Sequence, residues 1–258
     1  MGDERKAKVR ERFGASADAY AKSEIHARGE SLALLVELVK PQKGWRALDV
    51  ATGAGHTALA TAPRVTRVIA TDMTREMLVT AARLARERGI TNMEMATTDA
   101  ESLPFKDSSF DLVTCRLGFH HFSNPRRAIR EFARVLKPGA ILGFDDNFVI
   151  EGGKIAEDYN AFEKVRDPSH QWAFTFAELQ SMLEDAGLQV QTSRRLPKEL
   201  EFREWTTMQH VSGPDKEKLL DMLKHMPPPL QKMLRPRHAD GTVYFSLWEA
   251  VIIAKKMA

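Results

Sequence analysis

The sequence contains a single cysteine, Cys115, among 258 residues. One cysteine cannot form an internal disulfide, so a disulfide-stapled secreted fold is excluded, as are zinc sites built from several cysteines. No apolar run approaches the roughly 20 residues that a membrane-spanning helix needs, and the highly charged first residues lack the apolar segment of a signal peptide. We therefore expect a cytoplasmic protein with no membrane span and no metal site.

An excess of charge of one sign is also missing. Lys and Arg number 38 and Asp and Glu 35, a formal net charge of +3, which is too small to indicate a nucleic-acid partner. The basic cluster at residues 232–238 is short and interrupted by Pro236, as expected of a solvated loop. The overall composition, 43% hydrophobic and 28% charged, is that of a globular protein and excludes disorder, collagen and coiled coils.

Short β-branched runs alternate with longer helical stretches, which is typical of parallel βαβ units. We predict an α/β fold, a doubly wound sheet, in one domain spanning residues 1–258. Residues 1–44 would form a helical N-terminal cover, and residues 45–150 the core. Residues 196–240 are too long for an ordinary connection and are predicted to be a helical, lid-like insertion. The predicted strands are residues 46–50, 65–71, 93–97, 110–114, 140–144, 188–194 and 243–254.

A glycine-containing loop joins the first predicted strand to the next helix. Gly53 and Gly55 allow the backbone to approach a ligand closely at the carboxyl end of the strand. Asp72 follows about 20 residues later, at the end of the second strand, where a carboxylate can accept hydrogen bonds from both hydroxyls of a ribose. This spacing fits NAD as well as other adenosine cofactors, and the glycine motif alone is a weak signal.

Three features favour S-adenosylmethionine over NAD. Asp49 precedes Gly53 by four residues, where it would repel a pyrophosphate but attract the methionyl ammonium group. Asp99, after the third strand, can accept the exocyclic amine of adenine, and the Ala100 amide can donate to a ring nitrogen. The first strand begins only at residue 46, whereas NAD-binding domains often begin near their glycine motif. An NAD-dependent oxidoreductase remains the alternative.

The order of these segments resembles that of class I S-adenosylmethionine-dependent methyltransferases, in particular the small-molecule group that includes the ubiquinone/menaquinone-biosynthesis C-methyltransferases. The resemblance implies a Rossmann-like sheet of seven strands, in which a reversed last strand lies between the fifth and sixth. Ala51 stands where the family usually has its first glycine. We expect an ordinary backbone conformation there, and hence retained binding. The segments that carry the resemblance are Leu48–Gly55, Ala70–Leu78, Asp99–Phe105, Phe110–Thr114 and Arg134–Gly139.

The resemblance also implies a set of cofactor-binding residues. Most of them follow the ends of the first four strands, and one comes from the N-terminal segment, where it would close over the cofactor. They are Tyr20, Asp49, Ala51, Gly53, Gly55, Asp72, Met73, Met77, Asp99, Ala100 and Arg116.

The methyl acceptor should lie beyond strands four and five. Enzymes that methylate exocyclic amines carry Asn/Asp-Pro-Pro-Tyr/Phe after strand four, where this chain has Arg116–Phe119, so that class is disfavoured. Adjacent helical residues point about 100° apart, so only one of His120 and His121 should face the cleft. Candidate catalytic residues are His120, His121, Asp145 and His170. The histidines could act as acids or bases, and Asp145, expected at the edge of the cleft, could orient a substrate hydroxyl or ammonium group. Candidate substrate-binding residues are Arg166, Trp205 and His210.

Taken together, these patterns predict an enzyme that transfers a methyl group from S-adenosylmethionine to a small molecule, at carbon or oxygen. Besides the oxidoreductase, a non-catalytic module that binds S-adenosylmethionine or RNA remains open. The oligomeric state is not indicated by the sequence.

Overall fold

Eight strands form one sheet in the part of the chain that the structure, a computed structural model, describes: residues 2–23 and 27–257. The sheet order is β3-β2-β1-β4-β5-β8-β6, and the short β7 pairs with β8. Strands β1 to β5 are mutually parallel, whereas β8 runs antiparallel to both β5 and β6. The expected seven-stranded sheet with a reversed last strand is confirmed, with β7 as an addition. The strands are β1 (Arg46–Val50), β2 (Arg67–Asp72), β3 (Met93–Thr97), β4 (Phe110–Arg116), β5 (Leu136–Asn147), β6 (Leu188–Glu201), β7 (Arg237–Ala239) and β8 (Thr242–Lys256).

Local capping signals fix several helix boundaries. Asn124 accepts a hydrogen bond from the Arg127 amide at the start of the helix Pro125–Val135. Thr175 forms a capping box with Glu178 at the start of the helix Phe176–Asp185. No helix within the described ranges is both long and apolar enough to cross a membrane. The helices are α1 (Gly2–Lys22), α2 (Glu30–Val39), α3 (His56–Thr61), α4 (Arg75–Glu87), α5 (Pro125–Val135), α6 (Lys154–Arg166), α7 (Phe176–Asp185), α8 (Phe202–Met208), α9 (Gly213–His225) and α10 (Pro228–Leu234).

Helices cover both faces of the sheet. Alternation along β1 sends Ala47 into the core shared with α2, α3 and α4, and Leu48 into the core shared with α5 and α7. A further core forms where α6, α8, α9 and α10 pack on the extended part of β8, around Phe162, Trp205 and Phe245.

The predicted insertion begins later than expected. We placed its start at Leu196, but β6 continues to Glu201 and pairs with β8 as far as Tyr244. This part of β6 contains Pro197 and several charged residues. Because β6 is the edge strand of the sheet, one of its sides has no ladder to maintain, so a proline and charged side chains are tolerated there.

Candidate active site

A cleft with about 960 Å³ of empty space, its open mouth included, lies at the carboxyl ends of β1, β2 and β4. This is where ligands bind in open parallel sheets, and its size suits a nucleoside cofactor. Helix α1 forms one wall. Nine of the predicted cofactor-binding residues line the cleft, together with one of the histidines predicted to be catalytic. They are Tyr20, Ala51, Gly53, Asp72, Met73, Met77, Asp99, Ala100, Arg116 and His121.

The backbone of the glycine loop is left-handed at every second residue, at positions 51, 53 and 55. Gly53 has φ +54° and Gly55 φ +87°, and a Cβ on Gly55 would lie 2.8 Å from that of Ala81. Ala51 also has φ +53°, so our expectation of an ordinary conformation there was wrong. The chain must reverse as it leaves β1, and this turn imposes the left-handed conformation on alanine too. The Ala51 methyl is accommodated because residue 118 is glycine, whose added Cβ would lie 2.8 Å away.

Asp49 lies beneath the loop rather than in the cleft, contrary to its predicted contact with the cofactor. It is 1% exposed, and its carboxylate accepts hydrogen bonds from the hydroxyls of Thr52 and Thr114. Burial raises its pKa to about 6, although both hydroxyls favour the charged form. The side chain therefore acts on the cleft through Thr52, by holding the loop against β4. Gly55 is the N-cap residue of α3, with left-handed backbone, and it does not line the cleft either.

Asp72 is the best-placed carboxylate of the cleft. Its Oδ2 accepts from the Gly53 amide at 2.9 Å, and its Oδ1 accepts from the Thr74 amide at 2.8 Å. The carboxylate also lines the cleft, so a ligand in the cleft can reach it. Burial raises the pKa of Asp72, while these amides partly offset the effect. One residue thus ties the glycine loop to the end of β2 and retains the capacity to hold a ribose.

Helix α1 closes the cleft through contacts that sequence reasoning missed. Lys6 Nζ lies 2.7 Å from both Asp99 Oδ2 and Glu101 Oε2. The ring of Phe13 packs edge-on against His121, with centroids 4.9 Å apart. Neither residue belongs to the motifs near the strand ends, and their only sequence signal is a charged helix with widely spaced apolar residues.

Tyr20 lines the cleft as predicted from the resemblance, and its hydroxyl accepts from Gln209 Nε2 at 2.8 Å. Burial raises the pKa of Tyr20 to about 12, so the hydroxyl stays protonated. Gln209 Oε1 in turn accepts from Arg12 Nε at 3.0 Å. Gln209, which follows α8, is thus the residue that joins the insertion to α1. Its neighbour His210, the predicted contact, is exposed and does not line the cleft.

The two adjacent histidines have different surroundings. His121 lines the cleft, its Nδ1 lies 3.2 Å from the Ser169 carbonyl, and burial lowers its pKa to about 4. His120 turns away from the cofactor cleft and pairs through Nδ1 with the Asp146 carboxylate. Asp146 also accepts from the Phe119 amide at 2.6 Å, which fixes its position. Burial lowers the pKa of His120, but the charge of Asp146 and the hydrogen bond between His120 and Asp146 outweigh burial, so the pKa is raised.

Two other acid–base candidates lie in the interior. His170 is 1% exposed and its Nε2 lies 2.6 Å from Asn160 Oδ1, so its predicted role as a base in the cleft was wrong. Asp145 is completely buried beside its register partner Arg116, not at the edge of the cleft as we expected. Burial raises the pKa of Asp145 well above its ordinary value, and the Glu249 carboxylate raises it further.

The predicted substrate residues Arg166 and Trp205 belong to the added layer instead of the cleft wall. The Arg166 guanidinium lies 4.8 Å from the centre of the Trp205 ring, and its Nε donates to the Trp205 carbonyl at 3.3 Å. Trp205 stacks on Phe162 with ring centroids 5.3 Å apart. Arg166 and Trp205 therefore contact each other and are absent from the residues that line the cleft.

The residues of the cleft fit S-adenosylmethionine. Asp72 suits the ribose, Asp99 and the Ala100 amide suit the adenine, and nothing lies within 4 Å of a Cβ built on Gly53, which leaves room for the methionyl chain. Among the residues that the structure describes, no group of three or more potential ligands could hold a metal ion.

Comparison with known proteins agrees with this geometry. Residues 48–144 match the family described as a methyltransferase domain. The chain is 35% identical over 213 residues to the uncharacterized methyltransferase YcgJ of Bacillus subtilis, covering 83% of this chain and 84% of that protein. The crystal structure of YcgJ superposes with a TM-score of 0.84 at 32% identity, covering 88% of this chain and 98% of the other.

A second relative is the demethylmenaquinone methyltransferase of Thermus thermophilus, which is 38% identical over 109 residues, 42% of this chain and 49% of that protein. This chain belongs to the class I S-adenosylmethionine-dependent methyltransferases.

Proposed function

We propose that this protein transfers a methyl group from S-adenosylmethionine to a small molecule, at carbon or oxygen. The observation that carries the proposal is the position of Asp72, which lines the cleft and is fixed beside the glycine loop by the amides of Gly53 and Thr74. The relatives that are named as quinone-biosynthesis methyltransferases favour carbon as the acceptor atom. S-adenosylmethionine supplies an activated methyl group on a sulfonium sulfur.

The chain's own residues would bind and orient the donor. Asp72 accepts from the ribose hydroxyls, and Asp99 with the Ala100 amide reads the adenine. Asp49 positions the loop through Thr52. Phe13 and Tyr20 cover the cleft and exclude water, so that the donor and acceptor are held in line.

His120 is the residue that we propose as proton acceptor. Its Nδ1 is held by Asp146, and its ring centroid lies 4.1 Å from that of His121, which lines the cleft. When an acceptor hydroxyl ionises, its proton passes to the free ring nitrogen of His120. The ionised oxygen would then take the methyl group, the electron pair of the broken carbon–sulfur bond staying on sulfur. For carbon methylation, the carbon next to the one that bears the oxygen would take the methyl group instead, and it would lose its own proton as the oxygen takes back the proton held on His120.

Calorimetric titration of S-adenosylhomocysteine, the reaction product, tests the cofactor assignment. We expect binding to the native protein and a roughly 10–100-fold weaker affinity for Asp72→Asn, because the ribose loses a charged hydrogen-bond acceptor. Asp185→Asn, on the exposed end of α7, is the matched control and should bind as the native protein does. A thermal melt checks that Asp72→Asn is folded. Absence of binding to the native protein would refute the assignment.

Two alternative functions, an NAD-dependent oxidoreductase and an RNA-directed protein, would give different results in binding and labelling assays. NADH fluorescence that changes on mixing would support an oxidoreductase. Incubation with methyl-labelled S-adenosylmethionine and a cell extract should place the label in low-molecular-weight products. Label in RNA, or RNA binding that weakens steeply with salt, would instead support an RNA-directed protein. A cytoplasmic location stays a prediction that cell fractionation would test.

A further inference from the structure

Four of the residues that line the cofactor cleft have a buried polar side-chain atom with no hydrogen-bond partner among the described residues. The remaining atoms of this kind belong to residues that do not line the cleft. Three of the four are hydroxyls, which can rotate and can donate or accept, so they set no requirement on a ligand. The fourth is a ring nitrogen of a histidine, which is more restrictive. The four residues are His56, Thr74, Thr98 and Ser123.

His56 is the residue that follows the glycine loop. It comes directly after Gly55 and is the first residue of α3. Its side chain lines the cleft, although the residue is only 6% exposed. An imidazole therefore lies in the wall three residues beyond Gly53, where the glycine loop leaves room for the methionyl chain of the cofactor.

The contacts of His56 determine which of its ring nitrogens carries a hydrogen. Its Nε2 lies 3.0 Å from the main-chain carbonyl oxygen of Tyr20. A carbonyl oxygen can only accept, so Nε2 must donate and therefore carries the hydrogen. Burial lowers the pKa of His56 and outweighs the opposite effect of the bond to Tyr20, so the ring is neutral at pH 7. Nδ1 of the neutral ring is then an acceptor, and it is the atom without a partner among the described residues.

A ring nitrogen that can only accept requires a hydrogen-bond donor on the ligand. S-adenosylmethionine has donors of three kinds: the adenine amine, the ribose hydroxyls and the methionyl ammonium group. Asp99, after β3, is proposed above for the amine, and Asp72, after β2, for the hydroxyls. The ammonium group is the donor that still lacks a side-chain acceptor.

The carboxylates around the cleft leave the ammonium group to His56. Asp49, which the sequence predicts to attract it, is held beneath the loop by Thr52 and Thr114. Within the described ranges, the carboxylates that line the cleft follow β2 or β3, whereas His56 follows β1. Two of them are paired with Lys6. These carboxylates belong to Asp72, Asp99 and Glu101.

We propose that Nδ1 of His56 accepts a hydrogen bond from the ammonium group of the methionyl moiety of S-adenosylmethionine. This inference rests on the proposed function. An ammonium group donates three hydrogen bonds, of which His56 takes one. Because Nε2 of the same ring donates to the Tyr20 carbonyl, His56 joins the methionyl end of the cofactor to α1, the helix that forms a wall of the cleft.

Three ligands test the proposal by calorimetric titration into the full-length protein. S-adenosylhomocysteine carries both the ammonium group and the carboxylate of the amino acid. In its deamino analogue a hydrogen replaces the ammonium group, and in its decarboxy analogue a hydrogen replaces the carboxylate. A neutral imidazole whose Nδ1 only accepts can bond the ammonium group but not the carboxylate. Only the two ligands that carry the ammonium group should therefore respond to the loss of Nδ1.

Two substitutions separate the two ring nitrogens of His56. His56→Gln has a side chain long enough for its amide to replace Nε2 in the bond to Tyr20, but it places no acceptor at Nδ1. We expect it to bind S-adenosylhomocysteine and the decarboxy analogue about tenfold more weakly, and the deamino analogue as the native protein does. His56→Asn has a shorter side chain whose oxygen can replace Nδ1, so it should bind S-adenosylhomocysteine more tightly than His56→Gln. His225→Gln, exposed on α9, is the control and should leave all three affinities unchanged.

The pattern of affinities distinguishes this contact from other roles of His56. Equal weakening of all three ligands in His56→Gln, or weaker binding by His56→Asn than by His56→Gln, would show that the ring supports α1 and would overturn the inference. Weakening for the deamino analogue but not for the decarboxy analogue would assign His56 to the carboxylate and would also overturn it. Native affinities in His56→Gln would do the same. Failure of the native protein to bind S-adenosylhomocysteine would instead refute the proposed function.

A measurement on the native protein makes the test independent of how well the variants fold. Nitrogen NMR follows the Nδ1 resonance of His56, assigned by its absence from His56→Asn. We expect this resonance to move when S-adenosylhomocysteine binds, because its lone pair then accepts a hydrogen bond, and to stay in place with the deamino analogue. An Nδ1 resonance that responds equally to both ligands, or to neither, would contradict the proposed contact.

Discussion

The ammonium of Lys6 lies 2.7 Å from the carboxylate of Asp99, and this ion pair joins α1 to the loop after β3 across 93 residues of sequence. Asp99 is also the residue proposed to accept the adenine amine. The same ammonium contacts Glu101 at 2.7 Å, so α1 is fastened at two carboxylates on the rim of the cleft. Because α1 forms a wall of the cleft, we expect exchange of the cofactor to be faster when these contacts are lost.

Replacing Lys6 by methionine should speed cofactor exchange. The substitution keeps an unbranched chain but removes both ion pairs, and we expect the association and dissociation rate constants of S-adenosylhomocysteine to rise roughly 2–5-fold. Stopped-flow tryptophan fluorescence would measure both. Lys8→Met, on an exposed position of the same helix, is the control and should not change them. Native rate constants for Lys6→Met would mean that α1 does not open at this point.

The left-handed conformation of Ala51 gives a prediction about stability. At φ +53° an alanine costs about 1–2 kcal/mol, and glycine removes that cost while adding roughly 0.5–1 kcal/mol of backbone entropy loss. Ala51→Gly should therefore raise the free energy of unfolding by about 0.5–1 kcal/mol. Ala82→Gly, in the middle of α4, should lower it by about 1 kcal/mol. Urea denaturation of both variants would decide, and a destabilised Ala51→Gly would contradict the argument.

The sequence predicts those parts of the site that depend on local order. Strand ends, the glycine loop and Asp72 follow one another within a short stretch, and the carboxyl ends of parallel strands necessarily meet at one edge of the sheet. The strand positions are likewise set by short apolar runs and by helix caps, which explains why the sheet agrees with expectation while the start of the insertion does not.

Contacts between distant segments were not predictable in the same way. Lys6 with Asp99 and Gln209 with Tyr20 depend on how α1 lies across the cleft, which no motif encodes. His170 was misassigned for a related reason. A polar loop near the cleft suggests chemistry, but the partner that buries this histidine, Asn160, lies on the preceding helix and could not be paired with it by spacing alone.

The pairing of His120 with Asp146 predicts its titration. Asp146 favours the protonated imidazole strongly enough to outweigh burial, so the pKa of His120 lies above its ordinary 6.5. In Asp146→Asn the charge is lost while burial remains, so the pKa should fall. Proton NMR of the imidazole Cε1–H, assigned with His120→Gln, would follow the titration without any need for an acceptor molecule. An unchanged pKa in Asp146→Asn would contradict the pairing.

If His120 is the base, catalysis should respond to pH in the corresponding direction. A base must be unprotonated, so the methylation rate should rise as pH increases through the raised pKa of His120. In Asp146→Asn the midpoint of that rise should move to lower pH, and the maximal rate should fall because the ring is no longer oriented. A midpoint that does not move would assign the pH dependence to another group.

His121 should make the fold sensitive to acid. Burial lowers its pKa from 6.5 to about 4, so the folded protein binds the proton less readily than the unfolded chain. The stability that this neutral histidine contributes is fully present well above pH 6.5 and is lost as pH falls from there toward 4. Between pH 7 and pH 5 the loss amounts to about 2 kcal/mol. Urea denaturation at the two pH values should therefore show the native protein losing about 2 kcal/mol more than His121→Gln, whose side chain cannot titrate. An equal loss in both proteins would mean that the proton is accommodated in the folded state.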